Sequence, residues 1–377
     1  MTRSVYLDYN ATAPLRPAAF EAMHAALLET GNPSSVHRFG RLARRRVEEA
    51  RASVAALVGA RSAQIVFTSG GTEANNLALA QPAARVLISA IEHDSVRAAA
   101  PTAIAIPVDR AGVVDLDALD RLLASETGPA LVAVMLVNNE TGAIQPVADV
   151  ARLARARGAR IHCDAVQAVG RLAVDFTALG IHTMAISAHK IGGPQGVGAL
   201  VVDDEVALSA MLRGGGQERG LRAGTENVAG IAGFGAAARM ALAELSDMPA
   251  VAKMRDALEG RLDAAATVLG REAPRVANTS CIAMPGVAAE TQVMAFDLAG
   301  VAISAGAACS SGKVRVSHVL QAMGAGELAG EAIRVSLGCE TTQADIDRFV
   351  ETWTALWARL GARVAAAASG VGAAPAA

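Results

Sequence analysis

Short runs of valine, isoleucine, leucine and alanine alternate along the chain with longer segments whose apolar positions recur every three or four residues. The runs Ile65–Thr68, Val86–Ser89, Leu131–Val137, Arg160–Cys163, Met184–Ser187 and Ala199–Val202 read as strands. They are continuously apolar rather than alternating, as expected when helices cover both faces of a sheet. Between them, Gly40–Val58 sets Leu42, Val47, Ala50, Val54 and Leu57 on one broad helical face, with Arg44, Arg45, Glu48 and Arg51 elsewhere. Asp149–Arg157 reads as another helix. This alternation predicts an α/β fold with a mostly parallel sheet.

The texture changes after about Leu245. Ala250–Leu269 reads as helical. It precedes weaker strand candidates at Thr279–Met284, Ala302–Ser304 and Ile333–Ser336 and a final helix over Ala344–Leu360, a pattern of a smaller α+β unit. The alanine- and glycine-rich stretch Arg363–Ala377 reads as a frayed or disordered tail.

Composition narrows the class. A chain of 377 residues is too long for one small core, so two domains are expected. With 52% hydrophobic and 19% charged residues it is a globular chain rather than a disordered one. A net charge of −2, no basic stripe and few aromatics argue against nucleic-acid binding. The first residues lack the apolar region of a secretory signal, and no uncharged apolar run is long enough to span a bilayer. Cys163, Cys281, Cys309 and Cys339 show neither close pairing nor metal-ligand spacing, so they read as reduced thiols of a cytoplasmic protein without a metal site.

Several constellations carry chemistry. In Phe67–Asn76 (FTSGGTEANN) a strand runs into a glycine-rich turn and a helix start, where free N–H groups and the helix dipole favour a phosphate. An ordinary capped turn would look much the same. In Ile161–Gln167 (IHCDAVQ) a strand ends on Asp164, at the edge where open α/β sheets bind ligands. An aspartate is equally at home as a helix N-cap. In Ile186–Pro194 (ISAHKIGGP) a strand delivers Ser187, His189 and Lys190. A lysine at the end of a buried strand is costly and suits Schiff-base chemistry, though a surface loop would also tolerate it. The only other lysines are Lys253 and Lys313, in a chain whose basic positions are otherwise arginine.

Arg213–Asn227 (RGGGQERGLRAGTEN) is a second anion-friendly glycine loop. Ser304–Lys313 (SAGAACSSGK) places Cys309 on a small-residue loop, unlike the other three cysteines, which lie in or beside strand candidates and read as structural. His93 follows the strand Val86–Ser89. Arg334 interrupts an apolar strand and calls for an anionic partner, either an internal acid or a substrate carboxylate.

Taken in order, TSGGTEANN, VNNETG, HCDAVQ, SAHKIGGP, RGGGQERGLRAGTENV, SAGAACSSG and AIRVSLG resemble the cysteine desulfurases of the NifS/IscS type, a class-V aminotransferase group of pyridoxal-phosphate (PLP) enzymes of fold type I. LDYNATAP and GNPSSVHRFGR match as well, and the resemblance reaches about Leu360. It implies a large domain over 14–246 with a mostly parallel seven-stranded sheet, and a smaller α+β domain from 1–13 and 247–362. It implies that Lys190 bonds the cofactor aldehyde, Asp164 pairs with the pyridine nitrogen and Gln167 with the phenolic oxygen. His93 stacks on the ring and helps move protons. Gly71, Thr72, Ser187 and His189 hold the phosphate, and Thr225 reaches the phosphate of a neighbouring subunit in a homodimer. Asn139 and Arg334 hold the carboxylate of L-cysteine. Cys309 takes the sulfur as a persulfide, for an iron–sulfur scaffold, a tRNA-thiolation pathway or another acceptor, and could transiently contact a transferred cluster.

The departures from the family pattern are small. The loop reads AGAACSSG where relatives have SGSAC, Gln195 stands for a common lysine, and Cys163 for a common valine. The C-terminal tail does not resemble the relatives' scaffold-docking segment. Two other readings share the motifs: a selenocysteine lyase or aminotransferase of the same fold, and a sulfur-transfer platform with little catalysis of its own.

Overall fold

The computed structural model describes residues 4–125, 128–262, 266–306 and 316–370, with the backbone alone over 362–370. Cys309 lies outside the described residues.

The first strand, β1 (Val5–Tyr6), stands apart from the main sheet. That sheet has seven strands: β2 (Ile65–Thr68), β3 (Arg85–Ser89), β4 (Ile104–Ile106), β5 (Ala130–Ala133), β6 (Arg160–Asp164), β7 (Thr183–Ser187) and β8 (Gly198–Val202). Their order is β2-β8-β7-β6-β5-β3-β4, and only β8 runs against its neighbours. The inner strands β5, β7 and β8 are buried along their whole length, which accounts for their unbroken apolar sequence.

The edge strand β4 escaped the sequence reading because it has only three residues, two of them exposed, too few to show a period. The run expected as a strand over Leu131–Val137 is strand only to Ala133. Beyond it the backbone stays extended, with Val134 and Leu136 N–H groups donating to the His162 and Asp164 carbonyls at 3.1 and 2.9 Å.

A second sheet holds β9 (Thr267–Leu269), β10 (Thr279–Ala283), β12 (Ser304–Ala305) and β13 (Ala332–Ser336) in the antiparallel order β12-β13-β10-β9. β11 (Val301–Ala302) pairs with β1 in parallel. Val5 and Leu7 thus share a buried cluster with Met248, Phe296, Phe349 and Trp353, while the main sheet has its own core.

Three expectations need correction. The helix expected over Ala250–Leu269 is Met248–Gly260, and Thr267–Leu269 pairs with β10 instead; three residues meet the cross-strand partner where periodicity alone cannot separate helix from strand. Of the tail expected to fray over Arg363–Ala377, residues 363–370 continue the helix Gln343–Gly370, and 371–377 lie outside the described residues. Alanine, which signals low complexity, is also the strongest helix former, and a long preceding helix removes the nucleation cost.

The third is Arg51, placed by periodicity on the polar side of its helix (Arg38–Leu57) but buried. Its guanidinium makes a bidentate pair with buried Glu218 at 2.7 and 2.8 Å, donates to the Ile65 carbonyl at 3.0 Å and lies 4.7 Å from the centre of the Phe67 ring. Glu218 also accepts from the Phe67 N–H at 2.9 Å, and it adopts a positive φ of 45° to do so. This pair ties the glycine loop Arg213–Asn227 to the sheet.

The helix Val228–Ala243 is apolar apart from exposed Arg239 because it is a core helix packed on Pro17–Leu27 and Arg38–Leu57. A Cβ on Gly235 would come within 2.6 Å of the Ala50 Cα, so glycine permits the close approach. Val228–Gly260 is long and apolar enough by composition to cross a membrane, but a 3-10 turn at Glu244–Asp247 interrupts it and much of it is buried in the fold.

The Arg51–Glu218 pair yields a stability test. Arg51→Met leaves Glu218 buried without its partner and should cost ~3–5 kcal/mol. Arg51→Met with Glu218→Met should recover most of that loss, as measured by urea unfolding followed by circular dichroism.

Candidate active site

The carboxyl ends of the parallel strands and the turns that follow them meet at a cavity of about 710 Å³. Gly71, Thr72, His93, Asn139, Asp164, Gln167, Ser187, His189 and Lys190 all line it. It continues into a vestibule of about 1120 Å³ whose wall includes His93, Asn139, Lys190, Arg334, Gly306 and Val316. The last two flank the segment that carries Cys309. Thr225 is exposed and does not appear on either wall among the described residues.

Lys190 sits in the 3-10 turn Ala188–Ile191 that follows β7. Its Nζ donates to the Asn10 and Ala11 carbonyls at 2.6 and 2.8 Å. Burial, with the Arg334 and Arg171 guanidiniums nearby, lowers its pKa to about 7. An ordinary lysine near 10.4 is almost wholly protonated at neutral pH; this one has a large free-amine fraction and can act as a nucleophile. His189 is pushed down to about 4, first by burial and then by Lys190 and Arg171, so it is neutral at pH 7.

Asp164, the last residue of β6, is buried, and its oxygens have fixed donors. Oδ1 accepts from the Val166 N–H at 2.9 Å and Oδ2 from the Asn75 amide at 2.7 Å. Asn75 is the hub of this end of the cavity. Its Nδ2 also donates to Ser95 Oγ at 2.8 Å, and its Oδ1 faces His162 Nε2 at 2.9 Å. Since the Asn75 oxygen must accept, the His162 proton is on Nε2, and Nδ1 accepts from the Thr183 hydroxyl at 2.9 Å. Full burial lowers His162 to about 4 and keeps it neutral.

Ser95 closes the circuit, with its hydroxyl 2.8 Å from His93 Nδ1. That nitrogen also accepts the Ser95 N–H at 3.1 Å, so in the neutral ring the proton is on Nε2. His93 is at once the N-cap of the short helix Asp94–Arg97 and a wall of the cavity.

Gln167 is pinned from both ends: Nε2 donates to the Asn10 carbonyl at 3.0 Å and Oε1 accepts from Arg171 at 2.6 Å. Arg334 in β13 pairs with Asp8 at 2.7 Å and donates to the Asn139 carbonyl at 3.2 Å, while its Nε has no partner among the described residues. The arginine in an apolar strand therefore has its internal acid and keeps donor capacity toward the vestibule.

Sequence reasoning missed Asn75, Ser95, His162, Arg171 and Asn10. Asn75 and His162 stood inside quoted motifs, but only a fold could show that they touch. Also missed was Glu92, fully buried, whose Oε1 accepts from Ser89 Oγ at 2.6 Å and the Met135 N–H at 2.7 Å. Burial raises its pKa to about 8, so it adds little charge beside Asp164 at neutral pH. Among the cysteines, Cys163 and Cys281 are buried as expected, whereas Cys339 is exposed, because β13 ends at Ser336 and the chain turns outward there.

The lining fits pyridoxal phosphate on this chain's own features. A carboxylate at one end suits a pyridine N–H, and a partly deprotonated amine suits an aldehyde. The start of the helix Gly71–Leu79 offers unpaired N–H groups to a phosphate monoester, beside Thr72, Ser187 and His189. A Cβ on Gly71 would fall 2.8 Å from Val166 Cγ2, so glycine is what lets the helix start come down onto the cavity floor.

The cleft sets a half-buried lysine and a buried aspartate at the strand ends, and the aminotransferase class-V family model matches residues 5–349. A cysteine desulfurase of Cereibacter sphaeroides is 44% identical over 367 residues, covering 92% of this chain and 94% of the relative. An IscS-like cysteine desulfurase of Mycobacterium tuberculosis is 39% identical over 389 residues, covering 97% and 99%. The X-ray structure of a NifS-like protein from Rickettsia africae superposes with a TM-score of 0.89 at 36% identity, covering 94% of this chain and 99% of that one. A structure of SspA in complex with cysteine gives a TM-score of 0.75 at 26% identity, covering 89% and 99%. The chain belongs to the class-V aminotransferase family and, within it, to the cysteine desulfurases of the NifS/IscS kind, a PLP-dependent group.

The electrostatics of Lys190 can be read directly. In cofactor-free protein, labelling of Lys190 by an amine-reactive reagent, followed by peptide mass spectrometry, should rise with pH through a midpoint of about 7. Arg334→Leu removes a neighbouring positive charge and should move that midpoint upward.

Proposed function

We propose that this chain binds pyridoxal phosphate at Lys190 and converts L-cysteine to L-alanine, passing the sulfur to Cys309. The observation that carries this reading is the shared cavity. A depressed lysine, a donor-clamped aspartate and a helix start face one another, and their vestibule is bounded by the residues flanking the Cys309 segment.

The cofactor, when bound, supplies an aldehyde that takes up the substrate amine and a ring that accepts the electrons left when the Cα proton departs. The chain supplies the rest. Asp164, held by Asn75 and Val166, meets the ring nitrogen as a hydrogen-bond acceptor. Gln167 presents an amide to the phenolic oxygen. Gly71, Thr72, Ser187 and His189 bind the phosphate, and neutral His189 serves as a donor there without adding charge. Lys190, once released, is the base at Cα. His93 packs against the ring face, its orientation set by Ser95. Arg334 and Asn139 orient the substrate carboxylate.

The Cys309 thiolate then attacks the substrate sulfur. The C–S bond breaks and its electron pair stays with carbon, which is protonated to give alanine; the new S–S bond leaves Cys309 as a persulfide. Atoms and electrons balance without an added oxidant. The chain works as a cytoplasmic homodimer in which exposed Thr225 serves the neighbouring subunit's phosphate site, and a scaffold or carrier protein receives the sulfur.

The direct assay is alanine release with mass spectrometry of the Cys309 peptide. The wild type should form alanine and a persulfide. Lys190→Ala should lose the cofactor's visible band and all turnover. Cys309→Ala should keep the band and its change on adding cysteine but lose most of its alanine formation, because the thiolate that accepts the sulfur is gone. Full activity in Cys309→Ala would overturn its role, and formation of pyruvate and ammonia would point to elimination instead.

A further inference from the structure

Glu140 is a buried carboxyl group on the vestibule wall for which the proposed chemistry has no use. It follows Asn139 directly, is 2% exposed and lines the vestibule. Its surroundings are specific. Oε2 accepts a hydrogen bond from Ser317 Oγ at 2.6 Å. The same oxygen lies where a side chain on Gly306 would begin: a Cβ there would be 2.3 Å from Oε2 and 3.1 Å from Cδ. Gly306 and Ser317 are on the two sides of the segment 307–315, and the one carboxyl group contacts both. Ser317 is itself committed, because its Oγ accepts the Leu320 N–H at 3.1 Å as the N-cap of the helix His318–Ala322. Gly306 directly follows β12, which pairs with β13 beside Arg334.

We propose that Glu140 is a positioning residue that fixes both flanks of the Cys309 segment against the substrate-carboxylate site. The proposal rests on the desulfurase reading for its consequence but not for its geometry. Asn139 and Glu140 are consecutive, so whatever holds Glu140 in place also sets the distance between the Asn139 end of the vestibule and the residues from which the Cys309 segment starts and returns. The Ser317 hydroxyl needs only an acceptor from Glu140, not a charge. Burial raises the pKa of Glu140, and both protonation states leave an oxygen to accept. Glycine at 306 is required for the same reason: a methyl group would occupy the place of the carboxyl oxygen.

The test uses the holoenzyme and Glu140→Gln, Glu140→Ala, Ser317→Ala and Gly306→Ala, with two independent readouts. The first is hydrogen exchange of the backbone amides over 316–322, with the rate of alkylation of Cys309 in the resting enzyme. The second is single-turnover persulfide formation, set against the cofactor's spectral change on binding cysteine. Glu140→Ala, Ser317→Ala and Gly306→Ala should speed exchange over 316–322 and slow persulfide formation at least ~10-fold. The concentration of cysteine for the half-maximal spectral change should stay within ~2-fold. Glu140→Gln, whose amide oxygen still accepts from Ser317, should behave like the wild type in both readouts. Unchanged exchange and alkylation in Glu140→Ala would overturn the proposal, as would a Glu140→Gln protein as impaired as Glu140→Ala. Altered exchange with no persulfide in the wild type would leave the anchoring intact and sink the desulfurase reading instead.

Discussion

The amide of Asn75 is the interaction on which the cavity depends. A planar group with two donors and one acceptor is locked between His162, Asp164 and Ser95, and the acceptor-only carboxylate of Asp164 excludes the flipped orientation. Asp164 decides which end of the amide faces it, and neutral, fully buried His162 takes the matching tautomer. The same amide nitrogen reaches Ser95, whose hydroxyl orients His93. In a region with little water, an amide in the wrong sense would leave a carboxylate facing an oxygen, a cost well above that of one lost hydrogen bond. The groups proposed for the ring nitrogen and the ring face are thus set by one side chain, which holds Asp164 directly and His93 through Ser95.

A similar economy holds on the lysine side. Lys190 shares its neighbourhood with Arg171 and Arg334, and burial together with these two cations keeps its amine from holding a proton firmly. Each arginine has a second task. Arg171 pins the Gln167 amide, and Arg334 pairs with Asp8 from the N-terminal segment while reaching the Asn139 carbonyl. That N-terminal segment belongs to the second core through Val5 and Leu7, yet its Asn10 and Ala11 carbonyls receive the Lys190 amine. The two cores are therefore joined through the site itself.

Much of the fold was legible because its inner strands are buried on both faces and so are written as apolar runs that any reading detects. Ile65–Thr68 was read with its true ends and the other strands read in the main sheet within a few residues, whereas the one strand expected over Ala302–Ser304 is two, β11 and β12, in different sheets. What escaped were elements too short for a period, such as β4 and β9, and elements whose composition misleads, such as the alanine-rich end of the last helix. Arg51 shows a different limit. Its charge placed it on the solvent side of the helix, and only its contact with Glu218, far along the chain, makes its burial tolerable.

By itself the sequence determined which residues stand at the strand ends. Strand and turn are local, so Asp164, Lys190 and the turn at Gly71 follow from their own neighbours. The ordered motifs carried the family resemblance for the same reason. The tertiary structure alone decided what those residues are. Asn75 against His162, Arg171 near Lys190, Asp8 against Arg334 and Glu140 against Gly306 and Ser317 all join separate elements of the fold. The pKa of a buried group and the sense of an amide depend on the charges and donors packed around it, and the chain order does not state those contacts.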